Sequence, residues 1–383
     1  MRKIIETERV DLFDVSMMIT MCVRINRSPS YDELNKAFKK ACNVHEILNS
    51  KVIIENSGDA YYIENDRSVN SFEETQLTLT GLIDLNEKRR FRIEDGEFLR
   101  GFNSPDGIVF MMHHLGGDGK SLLYFIETFM RCLDGEEPEK LPLRNLTLKD
   151  LPKESSLPFF YEWLIYYWNK KWSKEKKNFV FDDLEKSHNS FWDKHHSELG
   201  IVKYEKDELD NLLKNAKESG VSLTSYLITD MIKDCGKKMD IGLAVDGRQD
   251  KNRNMGNQAT GISVQYRYDM KKSVGENARA VHALMQKKLT KDKYRYFVLQ
   301  FMGKLDPSLK DALNLEHSGY FHSKASSKVA EILGYGDKVR DLSITNLTKA
   351  DIPLSYGNTG IEEIIFIPPV VSYAVNVIGI VTT

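Results

Sequence analysis

Cysteine is scarce in this chain of 383 residues: four are present, far apart, at Cys22, Cys42, Cys132 and Cys235. With no C-x-x-C pair and no metal-ligand spacing, they exclude a zinc ribbon and a thioredoxin-type redox motif. They read as reduced thiols of a cytoplasmic protein. Net charge is equally small, since 54 Lys and Arg against 56 Asp and Glu leave a formal −2. No basic excess points to a nucleic-acid partner. At the N-terminus, MRKIIETERVDLFD puts acidic residues where a signal peptide carries its apolar run, which argues against secretion. Long apolar runs are also missing, with one exception. From Ile364 to Thr383, IIFIPPVVSYAVNVIGIVTT carries no charge over 20 residues, the length of a membrane span. Pro368 and Pro369 would break a helix there, and the Val and Ile content suits two buried strands, so no membrane span is expected.

What is present is an ordinary globular composition, 41% hydrophobic and 29% charged, enough to bury a core without disorder. The length allows one large domain or two of common size. SMMITMCVRIN (16–26) reads as a strand. SPSYDELNKAFKKACNVHEIL reads as a helix opened by Ser30 with Glu33 at capping-box spacing, its Leu34, Ala37, Phe38 and Ala41 forming one apolar face. KVIIE and AYYIE read as strands, and GIVFMMHH leads into a helix at KSLLYFIETFMRCL. Beyond Leu133 a Pro-rich, charged stretch without periodicity reads as a connection. The helical run FFYEWLIYYWNKKWSKEKKNF follows, expected to pack its aromatic face and solvate its lysines.

KDELDNLLKNA from residue 206 repeats the register of YDELNKAFKKA from residue 31. This predicts two related halves, each with a long helix packed on a sheet. Strands alternate with helices throughout, an α/β order with mixed sheets. The expected division is an N-terminal half at 1–150, a connecting segment at 151–200 and a C-terminal half at 201–383.

The segment VFMMHHLGGDGKSLL, Val109 to Leu123, offers two chemistries. A phosphate loop needs G-x-x-x-x-G-K-[ST]. Gly119, Lys120 and Ser121 supply its end, but its first glycine falls on His114, where a side chain crowds the turn. Asp246, closing the strand IGLAVD, is the one further feature that suits magnesium and nucleotide. The other chemistry starts from the paired histidines. Imidazole titrates near neutrality, so a His at a strand end can take a proton from an attacking alcohol or amine. Alternation along FMMHH points the two to opposite sides, so only one can be the base and the pair cannot share a metal ion.

His113, His114, Asp118 and Gly119 form H-H-x-x-x-D-G. This resembles the signature of the condensation-domain superfamily, which includes chloramphenicol acetyltransferase. The resemblance implies two chloramphenicol acetyltransferase-like halves, each a mixed β-sheet packed with helices, with an active-site channel at their interface and His114 near its middle. It implies that His114 is the general base and His113 an inward structural group. Asp118 is implied to turn away and pair with Arg248 of AVDGRQD. ELNKAFKKACNVHEIL, FRIEDGEFLR, NMGNQATG with Gly256 and Asn257, and SITNLT with Ser343 and Asn346 are similar to further family segments in the same order. Asn257, Ser343 and Asn346 are thus channel-lining candidates for substrate, or else ordinary turn polarity. Thr348 stands where many relatives have glycine, and the chain stops at Thr383 where they add a strand.

The implied activity is transfer of an acyl group from a thioester, of coenzyme A or of a carrier-protein phosphopantetheine arm, to a hydroxyl or amine. Backbone amides near Gly119, or a polar group of the second half, would hold the oxyanion. No permanently bound cofactor or metal is implied. Partners would be the small acceptor, the thioester and an acyl or peptidyl carrier protein. The alternative is a non-catalytic relative that binds a carrier protein or ligand in the same channel. The remaining histidines, including His195 and His196, are expected at the surface.

Overall fold

Alternating apolar residues in the N-terminal third form strands β1 (Arg2–Ile4), β2 (Met18–Ile25), β3 (Ser50–Ile54), β4 (Ala60–Glu64), β5 (Ser71–Glu74), β6 (Leu99–Ser104) and β7 (Gly107–His113) in the computed structural model, which describes residues 2–333, 340–370 and 374–383. Helices α1 (Tyr31–Val44), α2 (Leu79–Glu87) and α3 (Gly119–Leu133) alternate with them. The capping box opens α1: Ser30 accepts from the Glu33 amide and the Glu33 carboxylate from the Ser30 amide. Two donors that the first turn would leave unpaired are thereby satisfied. Leu34, Ala37, Phe38 and Ala41 are buried as one face. There Phe38, Phe110 and Phe125 bring α1, β7 and α3 together, with ring centroids 5.3 to 6.4 Å apart. FRIEDGEFLR contributes only Leu99 and Arg100 to a strand, with a turn at Ile93 to Gly96.

Four helices follow: α4 (Phe159–Trp172), α5 (Phe181–Trp192), α6 (Lys206–Glu218) and α7 (Leu223–Ile232). Next come β8 (Lys238–Asp246), β9 (Ala259–Arg267) and α8 (Val274–Leu289). After further helices the chain adds β10 (Leu342–Lys349), β11 (Ser355–Tyr356), β12 (Thr359–Ile367) and β13 (Val377–Thr382). The strands form a six-stranded sheet ordered β11-β12-β2-β7-β6-β5, a four-stranded sheet ordered β13-β10-β8-β9, and a small sheet β1-β4-β3. Both larger sheets are mixed, with β5 parallel to β6 and β10 parallel to β8 and β13.

The segment 201–383 does not close on itself. β12 crosses to the N-terminal sheet and pairs antiparallel with β2, Ile364 opposite Val23 and Phe366 opposite Met21. Its apolar alternation completes a sheet whose next strand, β7, carries His113.

Four expectations are corrected. α6 buries only Ala216, and it is α7 and α8 that supply Ile228, Ile232, Val281 and Met285 to the core of the four-stranded sheet. α4 packs Ile165, Trp168 and Trp172 inward, sets Tyr161 against Phe297 and Phe301, and leaves Phe159, Phe160, Trp163, Tyr166 and Tyr167 outward. His45 and His188 are buried, and burial pushes their pKa values down to about 3 and about 4. In the C-terminal stretch, β12 is followed by Pro368 and Pro369. Residues 371–373 of the expected second strand lie outside the described residues, and β13 is half-buried rather than buried. Among the described residues no helix is long and apolar enough to cross a membrane.

Candidate active site

His113 ends β7, a single 3-10 turn spans His114–Gly116, and Asp118 caps α3 by accepting from the Ser121 amide at 2.9 Å. Gly117 makes this reversal possible. Its φ of 147° lies where side-chain-bearing residues rarely go, and a Cβ there would meet Ser121 Cβ at 2.4 Å.

Asp118 faces the second half of the molecule. It takes a two-pronged bond from Arg248, Nη1 to Oδ2 at 2.8 Å and Nη2 to Oδ1 at 3.0 Å, and Oδ2 also accepts from the Gln258 amide at 3.0 Å. Burial alone would raise this carboxyl, but Arg248 and the two amides outweigh it and hold Asp118 below the usual carboxylate range. Ser121 extends the junction, its hydroxyl donating to the Gly256 carbonyl at 3.0 Å. At Gly256, φ is 141° and a Cβ would lie 2.0 Å from the Arg144 carbonyl, so the turn admits only glycine. Asp246 is occupied by Arg248 and by Lys120 Nζ at 3.1 Å, which leaves it committed within the protein instead of facing a nucleotide's magnesium.

His113 is buried. Its Nδ1 accepts from the Leu115 amide at 3.1 Å, and the Phe91 ring stands edge-on to it. Burial, reinforced by the neighbouring His114, Arg90 and Arg100, pushes its pKa down to about 3, so it is neutral at pH 7.

His114 leaves the strand the other way, with 16% of its side chain exposed. Its Nδ1 lies 2.9 Å from Asn257 Nδ2 and 3.6 Å from Asp11 Oδ2. Asn257 bridges the two: its Nδ2 donates to Asp11 Oδ2 at 2.7 Å, while its Oδ1 accepts from the Ala259 amide at 3.1 Å. The amide orientation follows from these partners. Asn257 thus touches His114 directly.

Asp11 has no spacing relation to the signature, and sequence reasoning missed it. The only trace is a charge set among Val10, Leu12 and Phe13 in an N-terminal run that turns out to be buried. That run is fixed by a buried ion pair, Arg9 to Asp311 (Nε to Oδ1 2.8 Å, Nη2 to Oδ2 2.5 Å), and by Lys310 Nζ donating to the Glu6 carbonyl at 3.0 Å. Burial raises the Asp11 carboxyl, while His114 works in the opposite direction.

Glu8, one turn away, accepts from Asn145 at 2.9 Å, and burial pushes its pKa up from the ordinary 4.5 to about 8. A folded-state pKa above the unfolded one gives stability that is complete below about 4.5 and lost as pH rises through about 8. Unfolding in urea at pH 5, 7 and 9 should therefore show stability falling on the order of a few kcal/mol, with the fall largely absent in Glu8→Gln. Equal pH dependence of the two proteins would show that Glu8 ionises as freely folded as unfolded.

Ser343 and Asn346 are on β10. Asn346 Nδ2 donates to Thr224 Oγ1 at 2.7 Å and its Oδ1 accepts from the Thr348 amide at 2.6 Å. Thr348 takes a positive φ of 60°, the left-handed turn where relatives were expected to carry glycine. Ser343 is buried with its amide bonded to the Asn376 carbonyl at 2.8 Å. Neither residue hydrogen-bonds to His114.

A cavity of about 640 Å³ opens between the halves, lined by His113, Met17, Phe91, Trp192, Met239 and Ile378 among others. His114 is not part of its wall, because strand alternation turns the two histidines apart and the cavity lies on the His113 side.

No protein-family model matches the chain, and no curated protein does. Solved structures do. The first condensation domain of the calcium-dependent antibiotic synthetase is similar at a TM-score of 0.60 and 12% identity, covering 97% of this chain and 84% of that one. Polyketide synthase associated protein 5 from Mycobacterium tuberculosis is similar at 0.58 and 13%, covering 100% and 89%. The starter condensation domain of rhizomide synthetase, solved as a mutant with C8-CoA and Leu-SNAC, is similar at 0.58 and 9%, covering 98% and 84%.

Proposed function

We propose, from the condensation-domain fold that these likenesses establish, that the chain is an acyl transferase or condensation-type enzyme. It would move an acyl group from a thioester, of coenzyme A or of a carrier-protein phosphopantetheine arm, to a hydroxyl or amine, with His114 as general base. The observation that carries this reading is the setting of His114: it stands at the seam of the two halves, in contact with a carboxylate and an amide from separate segments. Imidazole Nε2 takes the proton of the nucleophile as its oxygen or nitrogen attacks the thioester carbonyl. The tetrahedral intermediate then collapses, the C–S bond breaks, and the imidazolium returns the proton to the departing thiolate. No covalent enzyme intermediate is needed.

Two tautomers of the ring have partners. With Asn257 Nδ2–H donating to Nδ1, the proton sits on Nε2 and the ring rests as a donor. Base action at Nε2 needs Nδ1–H instead, for which Asp11 Oδ2, 3.6 Å away, is the acceptor. A small rotation of the ring toward Asp11 makes that bond, and Asp11 then faces the imidazolium formed on proton transfer. Asp118 has no part in this step, since Arg248, Ser121 and Gln258 use its oxygens.

The test is thiol release from acyl-thioesters supplied with mixed alcohol and amine acceptors, wild type beside His114→Ala. Equal rates would sink the assignment. One observation favours a second reading, a non-catalytic binder of an acyl-thioester or carrier protein: the cavity touches His113 and not His114. Saturable binding of acyl-coenzyme A, unaffected by His114→Ala and without turnover, would establish it.

A further inference from the structure

Helix α4 turns an aromatic stripe toward solvent. Phe159, Phe160, Trp163, Tyr166 and Tyr167 are 85%, 61%, 51%, 63% and 38% exposed. They fall at i, i+1, i+4, i+7 and i+8, which is one face of a helix; Lys170 and Lys171 prolong the same face, and Lys174 follows in the turn just beyond it. The side chains are organised together: Phe160 lies against Trp163, Trp163 stacks on Tyr167 with ring centroids 5.8 Å apart, and Lys170 and Lys171 stand over Tyr166 and Tyr167 at 5.9 and 5.5 Å. Just beyond, Lys176 and Lys177 pair with Asp306 and Asp183. Among the described residues, Lys170, Lys171 and Lys174 have no carboxylate partner. Soluble monomers rarely leave a contiguous apolar patch of this kind in water without a use for it.

We propose that α4 is a membrane-surface contact that docks this protein on bilayers bearing anionic lipids. Apolar rings and unpaired cations lie on one face instead of opposite faces, so whatever covers that face must accept both. A bilayer interface does: Phe159 and Phe160 enter the acyl boundary, while Trp163, Tyr166 and Tyr167 sit at headgroup level with their polar atoms hydrated. The lysines lay their stems along the rings and place their charges at phosphates. Phe159, the most exposed ring, projects from the start of the helix, which suits a penetrable medium better than a preformed protein surface. The helix, at about 21 Å, lies in the plane of the interface. This contact does not depend on the acyl-transfer reading.

Co-sedimentation of the full chain with vesicles of phosphatidylcholine alone, and of equal parts phosphatidylcholine and phosphatidylglycerol, tests it. The protein should partition at least about tenfold more strongly to the mixed vesicles, with the difference shrinking as salt rises. Phe159→Ser/Phe160→Ser/Trp163→Ser and Lys170→Glu/Lys171→Glu/Lys174→Glu should each lose about tenfold or more, with circular dichroism and thiol release as in wild type. No binding to either vesicle, or binding indifferent to the lysines, would overturn the proposal. So would sedimentation velocity showing a dimer that the aromatic variant dissolves while vesicles stay unbound, since the stripe would then cover a second copy.

Discussion

Replacing His114 with Ala is expected to lower kcat/KM for acyl transfer about 10²–10⁴-fold, the range a positioned general base contributes, with little change in urea unfolding. Asp11→Asn should fall in the same range although it removes no atom from the ring's own reach. Asparagine at 11 keeps the shape and the bond from Asn257, but it weakens the acceptor for Nδ1–H and leaves the imidazolium without a counter-charge. The ring is then held in the resting tautomer. Groups acting as a unit are not additive, so His114→Ala/Asp11→Asn should be scarcely slower than His114→Ala alone. Urea unfolding distinguishes this from a loss of packing. Asp11→Asn should lower the plateau of kcat/KM while leaving the urea midpoint close to that of wild type. A plateau equal to wild type would show that Asn257 alone governs the ring.

Asp118→Asn and Arg248→Ala are each expected to cost about 3–5 kcal/mol of stability, the range for breaking one partner of a buried pair. The side chains are 6% and 3% exposed, so solvent cannot compensate whichever charge is left behind. Asp118 also accepts from the Ser121 and Gln258 amides, which lie on opposite sides of the seam. Losing the pair therefore loosens the turn that carries His114, and activity should fall together with stability. Asp118, held below the ordinary carboxylate range, contributes stability that is present above its unfolded pKa and lost as pH falls through the lower folded value. Acid should thus narrow the gap between wild type and Asp118→Asn. Urea midpoints unchanged in both variants would rule the pair out as a structural latch.

The sequence made the first half of the fold legible because its periods are clean. Ser30 and Glu33 mark the start of α1, and alternation along FMMHH separates the two histidines. Resemblance supplied Arg248 as the partner of Asp118, although the two lie far apart in the chain. Other features needed the third dimension. α4 carries apolar residues on both faces, so its pattern cannot say that Ile165, Trp168 and Trp172 face the core while Phe159, Phe160 and Trp163 do not. Asp11 reaches His114 only because Arg9 and Asp311 pin the N-terminal run in place. Alternation in EEIIFI signals a strand but is silent on which sheet it joins, and it joins the one begun by β2.

That last pairing sets the order of events during synthesis on the ribosome. Until residues 359–367 have emerged, β2 has an open edge with Met21 and Val23 on it and no neighbour on that side. A pairing between chain segments so distant is slow to form, and exposed strand edges invite association with other chains. The N-terminal portion therefore waits with an open sheet edge until residues 359–367 have been made, and the turn that carries His114, next to β2, gains its complete support only then.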